Sequence, residues 1–116
     1  MPIDDATREG GDEIVVRMWR GVVRTEDQDD YVDYIERTGM RAYRSTPGNL
    51  NAWMLARDIG NGLTEILTVS RWETMNAIKG FAGEDVERAV FYPEDDRYLV
   101  ERDVTVRHYS QVGRAD

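Results

Sequence analysis

Cysteine is absent from this 116-residue chain, and histidine occurs once. The first absence excludes a disulfide framework and any thiolate metal site. The second excludes an all-imidazole metal site within one protomer. No apolar run approaches the roughly 20 residues that span a bilayer. Residues 1–12 contain no apolar core, so no secretory signal is expected, and a soluble cytoplasmic protein is the default expectation. A basic surplus is missing too: 23 acidic side chains stand against 15 basic ones, a formal net charge of −8. That balance repels phosphate backbones and anionic lipid, so neither nucleic acid nor a membrane is expected as a partner. The acidic surplus by itself reads as solubility. No segment repeats with a period of 20–50 residues, and no stretch is of low complexity.

What is present suffices for one domain. A chain of this length buries roughly two thirds of its unfolded surface, enough for a single core without staples. The polar segment 1–12, with Gly10-Gly11, reads as a flexible arm, residues 13–112 as the domain, and 113–116 as a tail.

The pattern of the domain is centred on residues 63–92. Ile66, Thr68, Ser70 and Trp72 alternate with Leu67, Val69 and Arg71, which is strand spacing over Leu63 to Trp72. Thr74 then has the place of a helix N-cap, Met75, Ile78, Phe81 and Ala82 recur at helical spacing, and Gly83 is a stop. Trp72 sits where strand passes into helix, a position that overhangs the space between sheet and helix. Upstream, Ile14 to Val23 reads as a strand that is mostly apolar on both faces. Thr25-Glu-Asp-Gln28 fits a capping box for a helix with Tyr31, Val32, Ile35, Gly39 and Ala42 on one stripe, and Gly39 is a candidate stop or kink. Thr46-Pro-Gly-Asn49 is a turn, Leu50 to Asp58 a second strand, and Gly60-Asn-Gly62 a hairpin signal. Asp85 to Phe91 has room for a helical turn, Tyr92 to Leu99 for a capped turn or short helix, and Val104 to Val112 for the last strand.

The order is β-α-β-β-α-β, the ferredoxin-like α+β arrangement: a four-stranded antiparallel sheet with helices on one face. Its other face still carries Val, Leu, Met and Trp, a larger apolar area than soluble monomers tolerate. Two-fold pairing of sheets buries such a face, so a homodimer is expected.

At this point the chain resembles the antibiotic biosynthesis monooxygenase family, within the dimeric α+β barrel superfamily. The residues that carry the likeness are Leu67-Thr-Val-Ser-Arg-Trp72-Glu-Thr74, then Ala77-Ile78 and Phe81, with Thr46-Pro-Gly48 before the second strand. The run Ala89-Val-Phe-Tyr-Pro-Glu-Asp-Asp-Arg-Tyr-Leu99 is similar to a subgroup of small bacterial members. The resemblance covers most of residues 14–112. It implies a cofactor-free oxygenase acting on an aromatic or polyketide-like molecule and O2, in a dry pocket with a base and hydrogen-bond donors. The family's strand-end tryptophan falls on Trp72, its asparagine on Thr68 and its helical tyrosine on Ile78, so one of the three residue types is kept. The Asn, Trp and His of the haem-degrading branch fall on Trp19, Phe81 and Phe91. All three differ, which argues against haem degradation. A cyclase or isomerase of the same superfamily, or a non-catalytic small-molecule-binding dimer, are the alternatives.

The candidate catalytic residues are therefore Trp72, to position a ring, and His108, the one side chain with an ordinary pKa near neutrality. Candidate substrate-binding residues are Trp19, Thr68, Ile78, Phe81, Phe91 and Tyr92; no metal ligands are expected. Arg17 and Arg20 lie on opposite faces of the first strand, and whichever points inward needs a partner, with Glu65 favoured over a ligand anion. Glu94, Asp95 and Asp96 read as a solvated cap.

Overall fold

The computed structural model describes residues 13–114; the arm expected over 1–12, and residues 115–116 of the tail, lie outside them. Strand β1 (Val15–Arg24) lies at the centre of one antiparallel sheet, with β3 (Leu63–Trp72) on one side. Beyond β3 comes β2 (Asn49–Gly60), and the far side of β1 carries β4 (Leu99–Arg102) and β5 (Arg107–Ser110). This is the ferredoxin-like order, with the fourth strand in two pieces. The β2–β3 hairpin turns on Asn61 at φ 58°, flanked by Gly60 and Gly62, also left-handed. That is the conformation the Gly-Asn-Gly signal calls for.

The helices of the described residues cover one face of the sheet. They are α1 (Gln28–Ile35), α2 (Arg41–Ser45), α3 (Met75–Ala82) and α4 (Asp95–Tyr98). Under them run Val15, Arg17, Trp19, Gly21 and Val23 of β1, opposite Trp72, Ser70, Thr68, Ile66 and Thr64 of β3. Thr74 caps α3 as expected, its hydroxyl accepting from the Ala77 N–H at 3.0 Å. Gly48 holds φ 93° with Ala77 against it, so a Cβ there would strike α3. Among the described residues no helix lies on the opposite face of the sheet, which presents Trp53 and Leu55 of β2 and Tyr109 of β5, 37%, 48% and 49% exposed.

Four expectations are corrected. The capping box at Thr25 does not form: Thr25 opens a 3-10 turn, Thr25–Asp27, without a side-chain cap. Its hydroxyl is 2.9 Å from that of Thr64. A tertiary partner has taken the oxygen that the local motif needed. Gly39 does not stop the helix but sits in a π-helical segment, Glu36–Met40, which runs on into α2. The wider turn carries extra residues per revolution. It thereby moves the inward position from Ala42 to Tyr43, which is buried. Asp85 to Phe91 forms no helix; its residues make turns and one isolated bridge, Arg88 to Thr105. Finally, the last strand starts at Leu99 and breaks after Asp103, whose N–H still donates to Arg20 O of β1 at 3.0 Å, because residues 104–106 turn to that loop. There Ala89 N–H donates to Val104 O at 2.9 Å and Val106 N–H to Glu87 O at 2.8 Å.

Candidate functional site

The break in the fourth strand lets the 84–91 loop reach the sheet, and a cavity forms between that loop, the sheet and the helices. It holds about 420 Å³ of non-atom space, a figure that includes the open solvent at its mouth. Arg17 and Trp19 of β1 and Thr68 of β3 form its floor. Tyr31, Ile35, Gly39, Met40 and Tyr43 form one wall, and Phe81 of α3 another. Ala89, Val90, Phe91 and Tyr92, with Asp95 and Val106, close the remaining side. Most of this lining is aromatic or aliphatic, so a planar apolar molecule suits it.

Of the residues expected from sequence, the structure brings Trp19, Thr68, Phe81, Phe91 and Tyr92 together on this cavity. Trp19 is anchored by its indole N–H on Asp103 O at 2.8 Å and meets Phe91 edge-on, 6.2 Å between ring centres. Ile78 and Trp72 do not line it; both are 0% exposed. The Trp72 indole donates to Ser70 Oγ at 2.8 Å and packs on the rings of Tyr43 and Phe81. It stands behind the two aromatics that face the cavity.

His108 does not line the cavity either. It sits opposite Arg17 in the β1–β5 register, with its Nε2 3.1 Å from Arg17 Nη1. A guanidinium donates and never accepts, so Nε2 is the acceptor and the ring proton is on Nδ1. Burial, and then the charge of Arg17, hold the His108 pKa below its ordinary value. The lone pair that a base would use is already engaged. The structure therefore does not pair His108 with Trp72 at a common site.

Two charged groups fill the place that His108 was expected to take. Asp95 belongs to the acidic turn read as a solvated cap, yet it is 3% exposed. Its Oδ2 accepts from the Tyr92 N–H at 2.6 Å, while Oδ1 is buried without a partner. Burial pushes its pKa above the usual carboxylate range, against the Tyr92 N–H and Arg102, which pull it down. The 92–95 spacing signals a local cap, but only the tertiary packing shows that one oxygen is left over. Arg17 is the inward-facing arginine. Glu65 serves Arg20 instead, at 2.6 Å on the other face of the sheet. That pair depresses the Glu65 pKa.

Tyr31 and Tyr92 remain neutral phenols. Burial raises both, with the charge of Asp95 adding to the shift of Tyr31, and Tyr92 is pushed up to about 12. The lining thus contains no imidazole and no thiol to ligate a haem iron, so the residues do not fit that group. Among the described residues no three His, Cys, Asp or Glu side chains cluster to hold a metal ion. Nor is any described helix long and apolar enough to cross a membrane.

An antiparallel ferredoxin-like sheet, roofed by helices on one side over an aromatic cavity, defines the class. No protein-family model and no curated protein matches the chain. Solved structures do. A candidate antibiotic biosynthesis monooxygenase from Bacillus cereus superposes with a TM-score of 0.65 at 15% identity, over 90% of this chain and 98% of that one. The heme-degrader MhuD from Mycobacterium tuberculosis, with two hemes bound in its active site, gives 0.59 at 15% identity, over 88% and 99%. A variant of SnoaB, a cofactor-independent oxygenase from Streptomyces nogalater, gives 0.56 at 12% identity, over 90% and 96%. The chain carries the fold of the antibiotic biosynthesis monooxygenases.

Proposed function

We propose that the protein is a cofactor-independent monooxygenase that oxidises an electron-rich aromatic or polyketide-like phenol in this cavity. The observation that carries the reading is a buried carboxylate, Asp95, among the residues that line an aromatic cavity, with its Oδ1 left without a partner. Asp95 takes the phenol proton, the work first assigned to His108; its raised pKa brings it nearer to that of a phenol. The resulting phenolate passes an electron to O2, a ring carbon–oxygen bond forms, and the second oxygen atom leaves as water with the two substrate hydrogens. Phenol plus O2 gives quinone plus water, so no external reductant enters. Trp19, Phe81 and Phe91 hold the ring. Trp72 and Ile78 act through the wall they support. The fold is shared with a cofactor-independent oxygenase and with a haem degrader alike, so the absence of a haem-ligand set at the lining is what supports this reading over haem degradation.

The test is to incubate the purified protein with hydroxynaphthalenes and anthrones under isotopically heavy O2, with no added cofactor. Quinone carrying one heavy oxygen atom is expected. Product that forms equally well without O2 would move the reading to a cyclase or isomerase.

The working unit of this proposal is a homodimer closed across the helix-free face. Trp53→Asp with Leu55→Asp puts two charges on that face. The pair is expected to weaken self-association by more than about 100-fold, since central aromatic anchors dominate such contacts. Analytical ultracentrifugation at micromolar concentration reads it as a change from two-chain to one-chain mass. A one-chain mass for the unaltered protein would sink the assembly.

A further inference from the structure

Arg17 is 1% exposed, and among the described residues it makes no ion pair. Its acceptors are neutral: Val86 O at 2.6 Å, Arg88 O at 3.2 Å and His108 Nε2 at 3.1 Å. These take three of the five guanidinium hydrogens, and the Phe81 ring lies 5.5 Å from Cζ. Nε is buried with no partner at all. A full positive charge is thus held out of water with dipoles around it and no anion among the described residues to neutralise it, an arrangement that is costly unless something completes it. Asp95 does not: the cation that acts on its carboxyl is Arg102. Two of its three acceptors come from the backbone of the 84–91 loop and the third from His108 on β5, so its position is fixed while its remaining donors are left unused. Arg17 lines the same cavity as Asp95.

We propose that the molecule bound in this cavity is an aromatic carboxylate, whose carboxylate accepts the free Nε–H of Arg17 while a ring hydroxyl donates to Asp95 Oδ1. This rests on the aromatic-ligand reading of the preceding subsection and narrows it to hydroxyaryl carboxylic acids. A carboxylate is chosen over the phenolate formed during turnover because the charge of Arg17 stands unpaired in the resting protein. A phenol arrives neutral, whereas a carboxylic acid arrives already ionised. Forked donation from a guanidinium to a carboxylate also fixes the ring's orientation, which a point charge does not.

The experiment titrates hydroxynaphthoate, its methyl ester and naphthol into the unaltered protein, following the Trp19 indole N–H resonance. That signal reports the cavity and not Trp53 on the outer face. Hydroxynaphthoate is expected to bind at least about tenfold more tightly than either neutral probe, as charge-assisted, desolvated hydrogen bonds allow. Arg17→Met should abolish that preference and leave the ester's affinity within about threefold. Should the variant fail to fold, the comparison of the three probes on the unaltered protein decides alone. Equal binding of acid, ester and naphthol overturns the carboxylate while leaving the aromatic cavity standing. Binding of none of the three overturns the aromatic reading and the carboxylate with it. An acid preference that survives in Arg17→Met places the charge recognition elsewhere and overturns the role of Arg17.

Discussion

Asp95→Asn is expected to lower the rate of phenol oxidation by about 10²–10⁴-fold, the usual contribution of a positioned general base, while making the protein more stable at neutral pH. The two effects have one cause. The folded protein holds the Asp95 proton more tightly than the unfolded chain does, because burial penalises the carboxylate. Between the unfolded pKa, roughly 3.9, and the raised folded value, the native state binds more protons than the unfolded state. Stability therefore falls as pH rises through that window and stays at the lower level above it. The amide carries no charge and bears none of that cost, yet its oxygen still accepts from the Tyr92 N–H. Thermal unfolding at several pH values reads the difference: the variant gains at pH 7, and the gain vanishes below the unfolded pKa. The rate has the opposite sign. Only the carboxylate takes a proton, so kcat/KM of the unaltered protein rises with pH through the raised pKa, and the residual rate of the variant is flat there. A variant that keeps its rate, or that is less stable at pH 7, removes Asp95 from the mechanism.

Much of the fold is legible because its signals are local. The bounds of β3 follow from alternation, the hairpin from Gly60-Asn-Gly62, and the start and stop of α3 from Thr74 and Gly83. Each device acts within a few residues of itself. The misreadings have the converse property. Thr25 looks like a cap until Thr64, far along the chain, stands opposite its hydroxyl. The last strand looks continuous until residues 87–89 compete with β1 for its backbone.

The site divides along the same line. Trp19, Thr68, Phe81 and Phe91 are legible through the resemblance, which puts the family's own site positions on them, and not through periodicity, which leaves the inner face of each strand open. Tyr43 was not, since the π turn that rotates it inward leaves no mark in the spacing. Arg17 and Arg20 were separable by parity but not assignable. That choice depends on which face the helices cover, and so on which arginine Glu65 meets. The charged half of the cavity is fixed by exclusion from salt bridges, a property of the whole fold that no single stretch encodes.

Trp72→Ala is expected to cost about 3–5 kcal/mol of stability, the range for emptying a buried aromatic site. Against a total of roughly 5–15 kcal/mol for a domain, that takes the variant close to unfolding. The indole is 0% exposed, and its loss also strips Ser70 Oγ of the donor 2.8 Å away. A phenylalanine at the same place keeps most of the volume and loses chiefly that hydrogen bond, for about 0.5–1.5 kcal/mol. Urea unfolding followed by circular dichroism separates the two. The same pair decides how Trp72 bears on the cavity. Tyr43 and Phe81 face the space with their rings 4.4 Å apart and both rest on the indole, so Trp72 acts on a ligand through their positions. Trp72→Phe should then leave probe affinity within about threefold, because the supporting volume remains. If instead Trp72→Phe folds normally and loses binding by tenfold or more, the indole itself touches the ligand, and the wall closes differently around a bound molecule.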